Sequence, residues 1–275
     1  MFLNSTNGLS IIHNGKTILI NSSGIFDSLS TNDNDLIIAS KLLFNFNQSI
    51  ERISADKLIQ SDLKIEESKY LNEINNPTPL FKYISKADYE NFISKGYFQL
   101  GSSQYYREIE KEESRDKLEG FSISILNVNN YKIPITLFRC NNYLIFCGTT
   151  TRSNDYMNKK FGEVEIKISD SFSFASKIAK SIGAKGFTIG KVEYSNSKIY
   201  KSNHLITQPF EPQDFIHNQD VLDLLLSVSL YPSLFVKPKM FENEKETRII
   251  FEMNNDYPTC HRFLDKSLLS EIQII

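Results

Sequence analysis

One stretch constrains this chain more than any other: Ser233 to Met253, SLFVKPKMFENEKETRIIFEM. An apolar run, Leu234-Phe235-Val236, leads into Lys237-Pro238-Lys239 and a charge cluster, Glu242-Asn243-Glu244-Lys245-Glu246. The stretch closes on Arg248-Ile249-Ile250-Phe251-Glu252, whose β-branched and aromatic content predicts a buried strand. If the backbone is extended before that strand, Glu244 and Glu246 project from one face, because side chains of a strand repeat every second residue. Two carboxylates at the mouth of an apolar strand are the best candidate site in the sequence.

The rest of the chain has to supply the sheet that such a strand would join. Residues 9–21 read as a hairpin, with two β-rich runs flanking Asn14-Gly15, a pair suited to a type I′ turn. Helical spacing follows over about 36–46 and 50–58, and again at Leu71 and Ile74. Asn75-Asn76-Pro77-Thr78-Pro79 is a run of structure breakers and sets an expected boundary. Residues 1–76 are thus expected to be a hairpin-and-helix accessory unit, and 80–275 an α+β domain.

Within that domain the spacing predicts strands at 80–84, 97–100, 121–128, 131–138, 142–147, 163–168 and 187–194, with 198–200 as a partner of the last. Helices are expected at 86–94 behind a Ser85 cap, at 172–182 before Gly183, and at 219–230. A short final strand ends the sequence. Many strands, few short helices and no βαβ alternation predict a mixed, largely antiparallel sheet.

Composition narrows the function. A net charge of -2 gives no general attraction to nucleic acid or anionic membranes. No apolar run is long enough for a membrane span, and the first residues have neither the basic start nor the apolar core of a signal peptide. Cys140, Cys147 and Cys260 are widely spaced and form no CxxC pair, which fits reduced cysteines in a cytoplasmic protein. His13, His204, His217 and His261 have no metal-ligand spacing.

Four polar groups fall at expected strand ends: Tyr83; Ser102, Ser103, Tyr106 and Arg107; Arg115, Asp116 and Glu119; and Glu244, Glu246 and Arg248. Each also has a purely structural reading. The last group could be an ion-pair ladder on an exposed edge, the tyrosines packing residues, the serines a turn, and Arg248 a partner for Asp116 or Glu119. Lys237 and Lys239 could touch phosphates or merely solvate a loop.

The segments LFKYIS, SRDKLEG, YLIFCGTT, KVEY, LFVKPKMFENEKETRIIFE and LLSEIQII resemble a widespread bacterial domain family frequent among phage-defence and abortive-infection genes. The likeness covers about residues 80–275, and Glu244-Lys245-Glu246-Thr247-Arg248 is its most specific block. At Arg115-Asp116-Lys117-Leu118-Glu119 the family has Asn-Asp-Pro-x-Glu, so Arg115 and Lys117 depart from it. A second resemblance is to ADP-ribosyltransferases. There an early His or Arg and a Tyr or Ser from the next strand hold NAD, and a late Glu in an ExE motif stabilises the ribosyl cation.

Tyr83, Ser102 or Ser103, and Glu246 follow that order, although position 83 is neither His nor Arg. The resemblance implies a toxin-like effector with NAD as cofactor, Glu246 as catalytic carboxylate and Glu244 orienting the acceptor. Tyr83, Ser102, Ser103, Tyr106, Arg107, Arg115, Asp116, Glu119 and Arg248 would bind the cofactor. Two alternatives stay open. One is a non-catalytic sensor whose residues 1–76 dock another defence protein or a phage component. The other is a nuclease holding Mg²⁺ on Asp116, Glu119, Glu244 and Glu246.

Overall fold

The structure, a computed structural model, describes residues 8–13, 16–20, 79–109, 116, 119–120, 122–128, 131–138, 142–153, 155–195, 199–206, 233–255, 257 and 259–275. The helices expected at 36–46, 50–58 and 219–230 lie outside the described residues, as does Arg115. The chain divides into two compact units, and not at residue 76. One comprises Met1–Glu66, Leu118–Cys140 and Ser197–Leu234; the other comprises Glu67–Lys117, Asn141–Asn196 and Phe235–Ile275. The expected division into 1–76 and 80–275 therefore differs from the observed one. Strand pairing joins segments far apart in sequence, which a local run of breakers cannot report.

The first unit carries a five-stranded sheet. Strands β1 (Gly8–His13) and β2 (Lys16–Ile20) pair antiparallel and in register up to His13 opposite Lys16, with Asn14 and Gly15 between them. In chain order, β3 (Leu80–Ile84) and β4 (Tyr97–Ser102) belong to the second unit, and the sheet continues with β5 (Ser122–Val128) and β6 (Tyr131–Phe138). These pair antiparallel up to Val128 opposite Tyr131, and β1 pairs along the far edge of β6. The segment expected to partner 187–194 instead belongs to β11 (Ile199–Ile206), which runs parallel to β5.

The second unit is an eight-stranded sheet with every pairing antiparallel. Its strands are β3 (Leu80–Ile84), β4 (Tyr97–Ser102), β7 (Tyr143–Thr149), β8 (Val164–Ile168), β9 (Gly186–Lys191), β13 (Glu246–Glu252), β14 (Cys260–Leu264) and β15 (Ile272–Ile274). A separate parallel pair, β10 (Glu193–Ser195) and β12 (Val236–Pro238), sets Tyr194 beside Lys237. The α+β class expected from the sequence is what the chain forms.

The central strand β7 explains the shape of the site. Along one edge it pairs with β13 over its whole length, from Tyr143 opposite Glu252 to Thr149 opposite Glu246. Along its other edge it pairs with β4 at Leu144 and Ile145, and then with β3 at Thr149. The ladder on that edge passes over Phe146, Cys147 and Gly148, so the sheet forks there.

One face of the sheet is closed by the helix Ser171–Ile182, which we term α4 because helices at Lys86–Asn91 (α1), Ser103–Glu108 (α2) and Asp155–Phe161 (α3) precede it. Asp170 caps α4 by accepting hydrogen bonds from the N–H groups of Phe172 and Ser173, and Gly183 ends it in the left-handed region with φ 67°. Phe174, Ala175 and Ile178 form its buried stripe, against Leu144, Phe146, Ile249 and Phe251. The Phe174 ring meets Phe146 edge-on at 5.3 Å and Phe98 at 6.1 Å. Burying a side chain of this kind contributes about 1.5–3 kcal/mol. Among the described residues no helix is long and apolar enough to cross a membrane.

Candidate functional site

The opposite face of β7 and β13 carries charge. Strand alternation sends Ile249 and Phe251 to the apolar core, so Glu246 and Arg248 point the other way. Glu244 joins them by a route that the sequence reading did not foresee. The backbone before β13 is not extended. Residues Lys239–Glu244 form a 3₁₀-helix, and Lys245 turns the chain through the left-handed region at φ 44°, ψ 47° before the strand begins. This turn is held by Thr149 Oγ1, which donates to the Lys245 carbonyl at 2.9 Å. The two carboxylates converge through that turn and not through a period of two.

Five side chains then alternate in sign, four of them buried and Lys160 partly so. Lys160 Nζ donates to Glu244 Oε1 at 2.8 Å. Lys237 Nζ donates to Glu244 Oε2 at 2.7 Å and to Glu246 Oε2 at 2.9 Å. Arg248 Nε donates to Glu246 Oε1 at 2.7 Å. Arg248 is only 1% exposed, which rules out the exposed edge-ladder reading. The ring of Phe241 packs under both lysines, 4.5 Å from Lys237 Nζ and 5.2 Å from Lys160 Nζ. The Tyr194 hydroxyl accepts from the Glu246 backbone N–H at 2.7 Å.

The neighbours set the protonation states. Burial alone would push the Glu246 carboxyl up; Arg248 and Lys237 outweigh it and hold Glu246 well below the usual carboxylate range. Burial pulls the Lys237 ammonium down, but Glu246 and Glu244 together raise it above its ordinary value. Glu246 is therefore a fixed negative charge and cannot serve as a general acid near neutrality.

At the fork, Lys82 from β3 donates to the Cys147 carbonyl at 2.9 Å and lies 4.7 Å over the Phe146 ring. Burial lowers its pKa, against the opposing pull of Cys147 and Glu246. The Cys147 Sγ–H donates to the Tyr106 hydroxyl at 3.3 Å, and that hydroxyl donates to the Ile145 carbonyl at 3.4 Å. Burial, and secondarily Glu246, pushes the Cys147 thiol up to about 12, so it is no thiolate nucleophile at neutral pH. Tyr106 reaches this position because residue 101 is glycine. A Cβ there would lie 2.6 Å from the Tyr106 ring and 2.8 Å from that of Tyr105.

The ion-paired chain and the groups at the fork open onto one cavity of about 1280 Å³ within the second unit. Its lining includes Lys82, Tyr83, Tyr106, Cys147, Lys160, Lys237, Glu244, Glu246 and Arg248. The expected residues divide accordingly. Glu244, Glu246, Arg248, Tyr83 and Tyr106 come together, although the Tyr83 hydroxyl is directed to Glu165 Oε2 at 3.1 Å. Ser102, Ser103 and Arg107 are buried outside the lining, and Ser102 caps α2 by accepting from the Tyr105 N–H. Asp116 and Glu119 are buried, and neither is among the lining residues.

Among the described residues no three His, Cys, Asp or Glu side chains converge to hold a metal ion, and the Lys237 ammonium occupies the space between the two glutamates. Sequence reasoning missed Lys82, Lys160 and Tyr194 and left Lys237 undecided. A lysine inside an apolar strand, as in LFKYI and LFVKP, was the signal available for two of them. Compared with models of protein families, with curated proteins and with solved structures, the chain matches none.

Proposed function

We propose that this cavity is the active centre of an ADP-ribosyltransferase-like enzyme that cleaves NAD. What carries the reading is the ionised Glu246 carboxylate, immobilised by Lys237 and Arg248 at a cavity with excess positive charge. Three cations and two carboxylates alternate in the chain Lys160–Glu244–Lys237–Glu246–Arg248, a net of +1, and Lys82 adds another charge when protonated. Such a surplus suits a diphosphate, while a negative charge held in advance suits a substrate that develops positive charge as it reacts.

In the reaction the bond between nicotinamide and the ribose carbon breaks, and its electron pair leaves with nicotinamide. The acceptor nucleophile bonds to that carbon and releases its proton to solvent. Glu246 stabilises the cationic ribose between these events, and Lys237 and Arg248 keep Glu246 ionised and aimed. On the sequence resemblance over residues 80–275, the setting would be cytoplasmic phage defence, with the enzyme acting as a toxin-like effector.

The test is nicotinamide release from labelled NAD, with and without cell lysate as acceptor. Wild-type protein should release nicotinamide, and Glu246→Gln should lower kcat by about 100-fold or more. A wild-type protein that leaves NAD intact, or a Glu246→Gln variant of equal rate, overturns the proposal.

A further inference from the structure

The cavity extends well beyond its charged centre. Its outer half lies over the paired strands β4 and β14, where Tyr97 stands opposite Leu264 and Gln99 opposite Arg262. Alternation puts these four on one face, and all four are exposed. Phe92 joins them from the turn after α1, with the Arg262 guanidinium 6.0 Å from its ring centre. Phe92 and Tyr97 are each 45% exposed and Leu264 50%, an unusual density of large apolar side chains open to solvent.

Polar groups run through the middle of this patch in a fixed line. Arg262 Nε donates to Gln99 Oε1 at 2.8 Å, and Gln99 Nε2 donates to the Tyr105 hydroxyl at 3.2 Å. The patch thus offers flat aromatic area with an amide and a guanidinium held among the rings. It also continues into the lysine-rich centre without leaving the cavity. At about 1280 Å³ the whole exceeds the roughly 300–1000 Å³ of ordinary small-molecule sites, so there is room for a ligand in two parts.

We propose that the face formed by Phe92, Tyr97, Gln99 and Arg262 is a nucleobase subsite. It stacks the base of the same ligand whose diphosphate reaches Lys82 and Lys237. The rings supply stacking, and the Gln99 amide and Arg262 guanidinium meet the polar edge of the base. This inference rests on the phosphate-binding half of the functional reading and names what lies at the other end of the ligand.

Calorimetric titration with ADP and with inorganic pyrophosphate separates the two halves, since the probes share a diphosphate and differ in the nucleoside. Wild-type protein should bind ADP more tightly than pyrophosphate. Tyr97→Ala and Phe92→Ala should each weaken ADP by about tenfold and leave pyrophosphate unchanged. Tyr97→Phe, which keeps the ring, should restore ADP binding. Equal affinity for both probes, or ADP binding indifferent to both alanine variants, overturns the base subsite while leaving the diphosphate reading intact. Failure of wild-type protein to bind either probe overturns both.

Discussion

The two faces of strand β13 are buried to the same degree by opposite means. Ile249 and Phe251 meet α4 across an apolar core, whereas Glu246 and Arg248, on the alternate positions, are enclosed in a chain of ion pairs. Apolar burial contributes stability through area removed from water and tolerates loss of a contact in proportion. Charge burial carries a desolvation cost that only a complete set of partners offsets. One face of the strand is therefore maintained for stability, and the other for a field of fixed direction.

The sharpest way to break this contrast is to remove one large element from each face. Phe174→Ala and Lys237→Met should both destabilise by about 3–5 kcal/mol in urea denaturation, the first through a cavity, the second by leaving one oxygen of each buried carboxylate without its ammonium while Lys160 and Arg248 hold the others. Only Lys237→Met should also abolish pyrophosphate binding. Equal effects of the two variants on binding would erase the division of labour between the faces.

Acid titration sharpens it further. Because Glu246 is held below its unfolded value, the unfolded chain binds the extra proton between the two values, and stability rises with pH across that window. The contribution is fully present above the usual carboxylate range and is lost as pH falls toward the depressed folded value. In Lys237→Met this acid limb should shrink, because a large cause of the depression is gone. An unaltered limb would assign the acid sensitivity to other carboxylates.

Smaller effects are expected where backbone shape serves the charged face. Gly101→Ala drives a methyl group into the Tyr105 and Tyr106 rings and should cost about 1–3 kcal/mol, read as a lowered Tm. Lys245→Gly relieves a left-handed residue between the two carboxylates. It should shift stability by no more than about 1 kcal/mol in either direction, since the gain in the fold is opposed by a freer unfolded chain. A loss much larger than this would assign the Lys245 side chain a structural role.

The elements most visible in the sequence are those governed by local rules. The Ser85 cap, the Gly183 stop and the strand read at 248–252, which begins two residues earlier at Glu246, follow from residue type and spacing alone. The inward pair Glu244 and Glu246 was legible as well, but for a reason that does not hold, because the left-handed Lys245 does the work assigned to an extended backbone. Lys82, Lys160 and Lys237 were not legible as a group. They come from β3, α3 and β12, and only the fork at β7 and the parallel pairing of β10 with β12 bring them to one place. The division of the chain was hidden for the same reason, since β1 pairs with β6 across more than a hundred residues.

That pairing has a practical consequence. The chain alternates between its two units in six segments, so neither can be released by trimming an end. A fragment beginning at residue 80 would strip β1 and β2 from their sheet and bare the hydrogen-bonding edge of β6, inviting self-association. Loss of activity in such a fragment would report a torn sheet and not a regulatory role for the missing residues, so dissection of this protein calls for point substitutions.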